Sequence, residues 1–129
     1  MSDTHSLIPK DKHDLECVDR LSQLGYPAIA PILPQLLEWV QDINWPVAYP
    51  LSRLLASIGE PVIPHLLEVL HSEDGIWKYN CIEFVIKPMR MDVKRKLAAE
   101  LELIAKMPSK TDILEEVYRV AQEAIDEMD

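Results

Sequence analysis

Apolar residues recur every three or four positions along this chain in short bursts, and each burst is closed by glycine, proline or a polar turn. That period predicts helices with one buried side. Leu15, Val18, Leu21 and Leu24 share one side of a first helix, for which Asp11 is a suitable cap and Gly25 a left-handed stop. Tyr26-Pro27 leads into a second helix reaching about Gln41, with Pro34 near its first turn, where a missing N–H is tolerated. Asn44 is expected to cap a third helix, Trp45 to Ile58, that stops at Gly59. Glu60-Pro61 opens a fourth ending near His71. The turn Ser72-Glu73-Asp74-Gly75 then hands over to a fifth that stops at Lys87, before Pro88. A sixth covers Asp92 to Lys106, and after Pro108 the box Ser109-Lys110-Thr111-Asp112 starts a seventh that runs into the acidic carboxyl end. Val, Ile and Thr never alternate with polar residues in a sustained way, so no strand is predicted.

Two of these segments are copies. Pro31-Ile-Leu-Pro-Gln-Leu-Leu-Glu38 returns about thirty residues later as Pro61-Val-Ile-Pro-His-Leu-Leu-Glu68. An acidic polar turn follows each copy, Gln41-Asp42-Ile43-Asn44 or Ser72-Glu73-Asp74-Gly75, and then a helix that begins with a tryptophan, Trp45 or Trp77. The unit is one helical hairpin used twice.

These residues resemble HEAT-like repeats, which pair an outer helix opening on Pro-x-Leu-Leu with an inner helix after a short acidic turn; the resemblance is best over residues 27 to 87. More closely, Leu7-Ile-Pro-Lys-Asp-Lys-His-Asp14, Asn44-Trp-Pro-Val-Ala48, Gly59-Glu-Pro-Val-Ile-Pro64 and Trp77-Lys-Tyr79 look like a small bacterial HEAT-like family catalogued as a domain of unknown function. The resemblance implies an all-α domain over residues 1–129, a short HEAT-like superhelix of antiparallel pairs with six to seven helices. Its parts are an amino-terminal helix at 11–25 and helix pairs at 27–59, 60–87 and 92–127. The two proline-led helices are expected to be neighbours. Departures from the repeat pattern are Pro46 and Pro50 inside the first inner helix, and the lack of an arginine after the acidic turn. Pro50 lies beyond the first turn of the helix as predicted and is expected to kink or shorten it.

Composition narrows the function more than the fold. At 129 residues with 48% apolar and 27% charged positions, the chain is long enough for a packed core and is not the polar composition of a disordered segment. Its formal charge of -9 repels phosphate backbones and points to a basic protein as partner, with no nucleic acid. Cys17 and Cys81, far apart and in no metal-like spacing, are expected to be free thiols of a reduced cytoplasmic protein. The opening Met-Ser-Asp-Thr-His-Ser has no basic, then apolar, signal pattern. The apolar stretch Ala28 to Val40 is interrupted by Pro31, Pro34 and Glu38 and is too short to span a bilayer, so no membrane association is expected.

Catalytic motifs are sparse. Gly25, Gly59 and Gly75 stand alone, which rules out phosphate-cradling loops, dinucleotide fingerprints and nucleophile elbows; no cofactor is expected. Glu68 and His71 have the Glu-x-x-His spacing of carboxylate di-metal helices, but no second copy exists, and His65 falls about 120° around the helix from His71, so no metal site is expected. Lys87, Arg90, Lys94, Arg95 and Lys96 form a basic cluster able to receive an acidic group. The last helix places Glu115, Glu116, Glu123, Asp126, Glu127 and Asp129 partly at its carboxyl end, where the helix dipole disfavours negative charge.

The constellation with most binding character is Trp45, Tyr49 and Arg53, one stripe at four-residue spacing made of the residue types most enriched at binding hot spots. Trp77 followed by Asn80, Glu83 and Lys87 makes a neighbouring polar stripe, and the two stripes together predict a recognition groove with Trp45 and Trp77 at its edge or beneath it. A non-catalytic interaction module is the favoured reading. A narrower version is an immunity-type inhibitor that neutralises a basic toxin enzyme. An enzyme resembling HEAT-like alkylpurine DNA glycosylases would need a basic concave surface, and although Trp45 lies near Asp42, the net charge has the wrong sign.

Overall fold

The computed structural model describes residues 7–128 and is all-helical, with no strand among the described residues. Met1–Ser6 and Asp129, which carry the amino-terminal reading and the last acidic residue of the tail, lie outside them.

Helix α1 spans Leu15–Leu24. Its cap is Asp14 rather than Asp11: one carboxylate oxygen accepts the Cys17 N–H at 3.3 Å and the other the Lys10 N–H at 3.0 Å. Asp11 instead closes the turn before the helix by accepting the His13 N–H at 2.9 Å. Docking of the preceding segment fixes this start, since Cys17 Sγ donates to Leu7 O at 2.6 Å and Val47 N–H to Lys12 O at 3.1 Å. Gly25 ends α1 at φ 63°, with its N–H on Leu21 O.

The two proline-led copies fold alike. In the first, a 3-10 turn at Ala30–Ile32 runs into α2 (Leu33–Glu38); in the second, a 3-10 turn at Glu60–Val62 runs into α4 (Ile63–Leu70). Both prolines of each copy fall where no intrahelical N–H is needed. Ile32 and Leu36 are buried as Val62 and Leu66 are, and α2 contacts α4, so like faces pack side by side. A 3-10 turn at Trp39–Gln41 closes the first copy.

Helix α3 is shorter than predicted, Ala48–Ile58. Asn44 is not its cap. Asp42 organises the turn by accepting the Asn44 N–H on its side chain at 2.9 Å and the Trp45 N–H on its carbonyl at 3.1 Å, which leaves Trp45 and Pro46 outside the helix. Pro50 therefore occupies the first turn, where its missing N–H removes no intrahelical bond, and the expected interior kink has no cause.

Helix α5 (Gly75–Asn80) is capped by Asp74, which accepts the Trp77 N–H at 3.1 Å. It passes directly into a π-helical segment, Cys81–Ile86, whose wider pitch shows in the Lys87 N–H bonding Ile82 O at 3.0 Å, five residues back. The predicted sixth helix is α6 (Met91–Lys94), a 3-10 turn at Arg95–Leu97 and α7 (Ala98–Lys106) in unbroken succession. The predicted seventh is split. Ser109 and Asp112 form a reciprocal capping box on α8 (Lys110–Leu114); Glu116 then turns left-handed at φ 57°, and α9 (Val117–Asp126) starts anew.

One continuous apolar cluster runs from Cys17 to Met128. Helix α7 lies along α9, α3 and α9 both rest on the π segment, and α5 bridges α4, α8 and α9. Inside the last junction Lys78 Nζ meets Asp112 Oδ1 at 2.6 Å, both side chains almost fully buried. Cys17 and Cys81 are buried and unbonded to each other, and burial pushes both thiols to higher pKa.

Candidate functional site

The predicted groove exists in part. Tyr49 and Arg53, one turn apart on α3, border a surface concavity of about 400 Å³ whose other lining residues are Glu83, Phe84, Lys87, Pro88 and Glu127. The π segment supplies Glu83 and Phe84 and hands over to Lys87, while Glu127 closes α9. Tyr49 is 53% exposed and its ring stands edge-on to Phe84, centroids 6.3 Å apart at 82°. Arg53 is exposed and forms no ion pair or side-chain hydrogen bond among the described residues.

Lys87 is the polar centre of this concavity. Its ammonium bonds Glu83 at 2.8 Å and Glu123 at 2.9 Å, with Glu127 at 3.9 Å. Burial alone would lower its pKa, but the hydrogen bonds from Glu123 and Glu83 outweigh that and raise it. The Lys87 bond in turn lowers the pKa of Glu123, against a smaller opposing effect of desolvation. One lysine thus gathers three carboxylates and offsets the negative charge that the sequence places at the end of α9.

Trp77 and Asn80 belong elsewhere. Asn80, predicted on the exposed stripe, is 5% exposed and its amide donates to Val40 O at 3.0 Å and Gln41 O at 3.2 Å. Trp77 is half-buried and its Nε1 donates to Leu37 O at 3.1 Å. Both side chains serve the otherwise unpaired carbonyls at the carboxyl end of α2 and so tie the second hairpin to the first. Trp45 sits off the concavity, edge-on to Trp39 with centroids 5.5 Å apart at 70°. Of the six predicted residues, Tyr49, Arg53 and Glu83 share the concavity. Phe84, Pro88 and Glu127 were missed, because their neighbourhood is made by packing of α3, the π segment and the end of α9.

A family profile described as a domain of unknown function (DUF5071) matches residues 7–125. The chain belongs to this family. The match spans every residue of the DUF5071 concavity except Glu127. No curated protein matches the chain.

The other candidates are largely engaged within the fold. In the basic cluster, Arg90 pairs with Asp92, Lys96 with Glu60, Arg95 donates to Met128 O, and buried Lys94 donates to Lys87 O. His71 faces Glu100 at 2.9 Å, not Glu68. His65, Glu68 and Glu38 instead border a groove of about 160 Å³ between the two proline-led helices, over Trp77. Among the described residues no three His, Cys, Asp or Glu side chains are grouped so as to hold a metal ion, and no helix is long and apolar enough to cross a membrane.

Proposed function

We propose that this DUF5071 chain is a non-catalytic interaction module of HEAT-like helix pairs that docks a basic protein, with Tyr49 and Arg53 as the anchors. The observation that carries the reading is Arg53: an exposed arginine without an internal partner, in a chain of net charge -9, one turn from an exposed tyrosine already braced by Phe84. Arginine and tyrosine at the centre of a concavity contribute disproportionately to binding, because the surrounding contacts exclude water from them. The acidic surface steers a basic partner in, and Arg53 then fixes orientation through a carboxylate or carbonyl of that partner. A basic toxin enzyme neutralised by this chain is a narrower form of the same reading, supported by the same charge. Two buried, unbonded thiols fit a reducing bacterial cytoplasm.

The test is affinity capture from the native cell with the wild-type chain and the Tyr49→Ala/Arg53→Ala variant, followed by titration of the captured partner. Exposed substitutions leave folding within about 0.5 kcal/mol. Binding is expected to weaken by more than about 2 kcal/mol. Unchanged affinity in the double variant would refute the assignment.

A further inference from the structure

The protein has a second, chemically different recess. Ile8, Gln35, Glu38, Trp39, Gln41 and Trp45 line a surface groove of about 310 Å³, at the small end of ligand pockets. Its two tryptophan rings meet at 70°, so they form a corner rather than a stack. The face of an indole carries negative potential, and a corner of two such faces attracts a cation more strongly than it attracts a neutral group of equal size.

Three further features point the same way. Glu38 is exposed beside the rings and has no ion-pair partner among the described residues. Gln35 Oε1 is a buried acceptor without a hydrogen-bond partner among the described residues, so a donor arriving at this wall finds an unused acceptor. No lysine, arginine or histidine lines the groove to occupy it from within. The corner is also held in place before any ligand arrives, because Asp42 O accepts the Trp45 N–H at 3.1 Å and Pro46 follows directly.

We infer that this groove receives the cationic end of a lysine or arginine side chain presented by a basic protein. The groove is open along one side and has two rings rather than a closed cage, which leaves room for the carbon stem of a tethered cation and gives little enclosure to a free one. The net charge of -9 favours the same class of partner. This inference rests on the basic-protein reading above but uses a different surface and different residues.

The experiment needs only the purified full chain, whose three tryptophans report directly by fluorescence. It is titrated at constant ionic strength with the N-acetyl methylamides of lysine, arginine and norleucine, and with tetramethylammonium chloride. The lysine or arginine amide is expected to bind at least about tenfold more tightly than norleucine amide, which has the stem without the charge. Trp45→Leu should abolish that preference. Trp39 packs against the core, so Glu38→Gln serves as the second variant. It should weaken the cationic amide severalfold and leave norleucine amide unchanged. The Tyr49→Ala/Arg53→Ala variant should bind all four probes as the wild type does, which separates this site from the α3 concavity. Equal binding of lysine, arginine and norleucine amides, no fluorescence response to the cationic amides, or a response to tetramethylammonium with none to either cationic amide overturns the inference.

Discussion

Replacing Lys78 by methionine removes the charge from the buried junction of α5, α8 and α9 while keeping nearly the same stem. The side chains of Lys78 and Asp112 are 4% and 5% exposed and their charged atoms lie 2.6 Å apart, so the substitution strands a carboxylate with only the Ser109 N–H at 3.0 Å. Breaking a buried pair from one side costs about 3–5 kcal/mol. The surviving Ser109 bond and the shortness of α8, which can swing the carboxylate toward water, place the expectation at the low end. About 3 kcal/mol corresponds to a fall of roughly 10 °C in Tm for a chain of this size.

The pH dependence gives an independent check on the same pair. Burial raises the Asp112 pKa, but Lys78 and the Ser109 backbone N–H outweigh it, so in the folded wild type the carboxyl titrates below its ordinary value of 3.8. A carboxyl depressed in this way contributes stability above about pH 4 and loses it as pH falls through its folded value. In Lys78→Met the burial effect is unopposed by the ammonium, so protonation relieves the variant as the acid range is approached. The difference in unfolding free energy should therefore be full at pH 7 and shrink by pH 3. Adding Asp112→Asn to Lys78→Met, which keeps an acceptor for Ser109 without a charge, should recover most of the loss. Urea unfolding followed by far-ultraviolet circular dichroism measures all of this. A Lys78→Met cost below about 1 kcal/mol at pH 7, or a gap that stays constant down to pH 3, would refute the reasoning.

Three other substitutions test the packing. A methyl group on Gly75 would lie 2.6 Å from Thr111 Cγ2 and 2.7 Å from Glu115 Cγ, so Gly75→Ala should cost about 1–3 kcal/mol in urea unfolding, with most of it recovered by adding Thr111→Ser and Glu115→Ala. Asn80→Ala leaves the Val40 and Gln41 carbonyls unserved and should lower stability by about 1–3 kcal/mol, seen as a lower denaturation midpoint. Glu116→Gly relieves a left-handed residue whose exposed pairing with Arg119 contributes little, and thermal unfolding should show a gain of up to about 1 kcal/mol.

The helix stops were more legible than the helix starts. Gly25 and Gly59 both take the positive φ expected of them, 63° and 79°, because few other residues adopt that backbone cheaply. Starts were ambiguous wherever two capping residues lay within three positions. Asp11 competes with Asp14 and Asp42 with Asn44, and in the first case docking of Leu7 onto Cys17 marks the choice. The matching tryptophans of the two hairpins were visible as a repeat, yet their roles differ: Pro46 keeps Trp45 in a turn, while Trp77 lies within α5 and can reach the Leu37 carbonyl. Asn80 read as surface because its polarity is evident in the sequence and the carbonyls it serves, forty and thirty-nine residues back, are not. The Tyr49 and Arg53 stripe survived because both lie within a single regular helix, where spacing alone decides the side.

The π segment makes the concavity sensitive to chain length. Bonding from Lys87 to Ile82 fits one more residue into the turn than an α-helix would hold. Deleting a single residue between Cys81 and Ile86 would let the helix close in the ordinary way, and everything after it would swing by about 100° around the axis. Lys87 would then leave Glu83, Glu123 and Glu127, and three carboxylates would share the recess beside Arg53 without their common counterion. A one-codon deletion that barely alters amino-acid composition would thus turn a mixed-charge recess into an acidic one, whereas most single substitutions there would change one contact at a time.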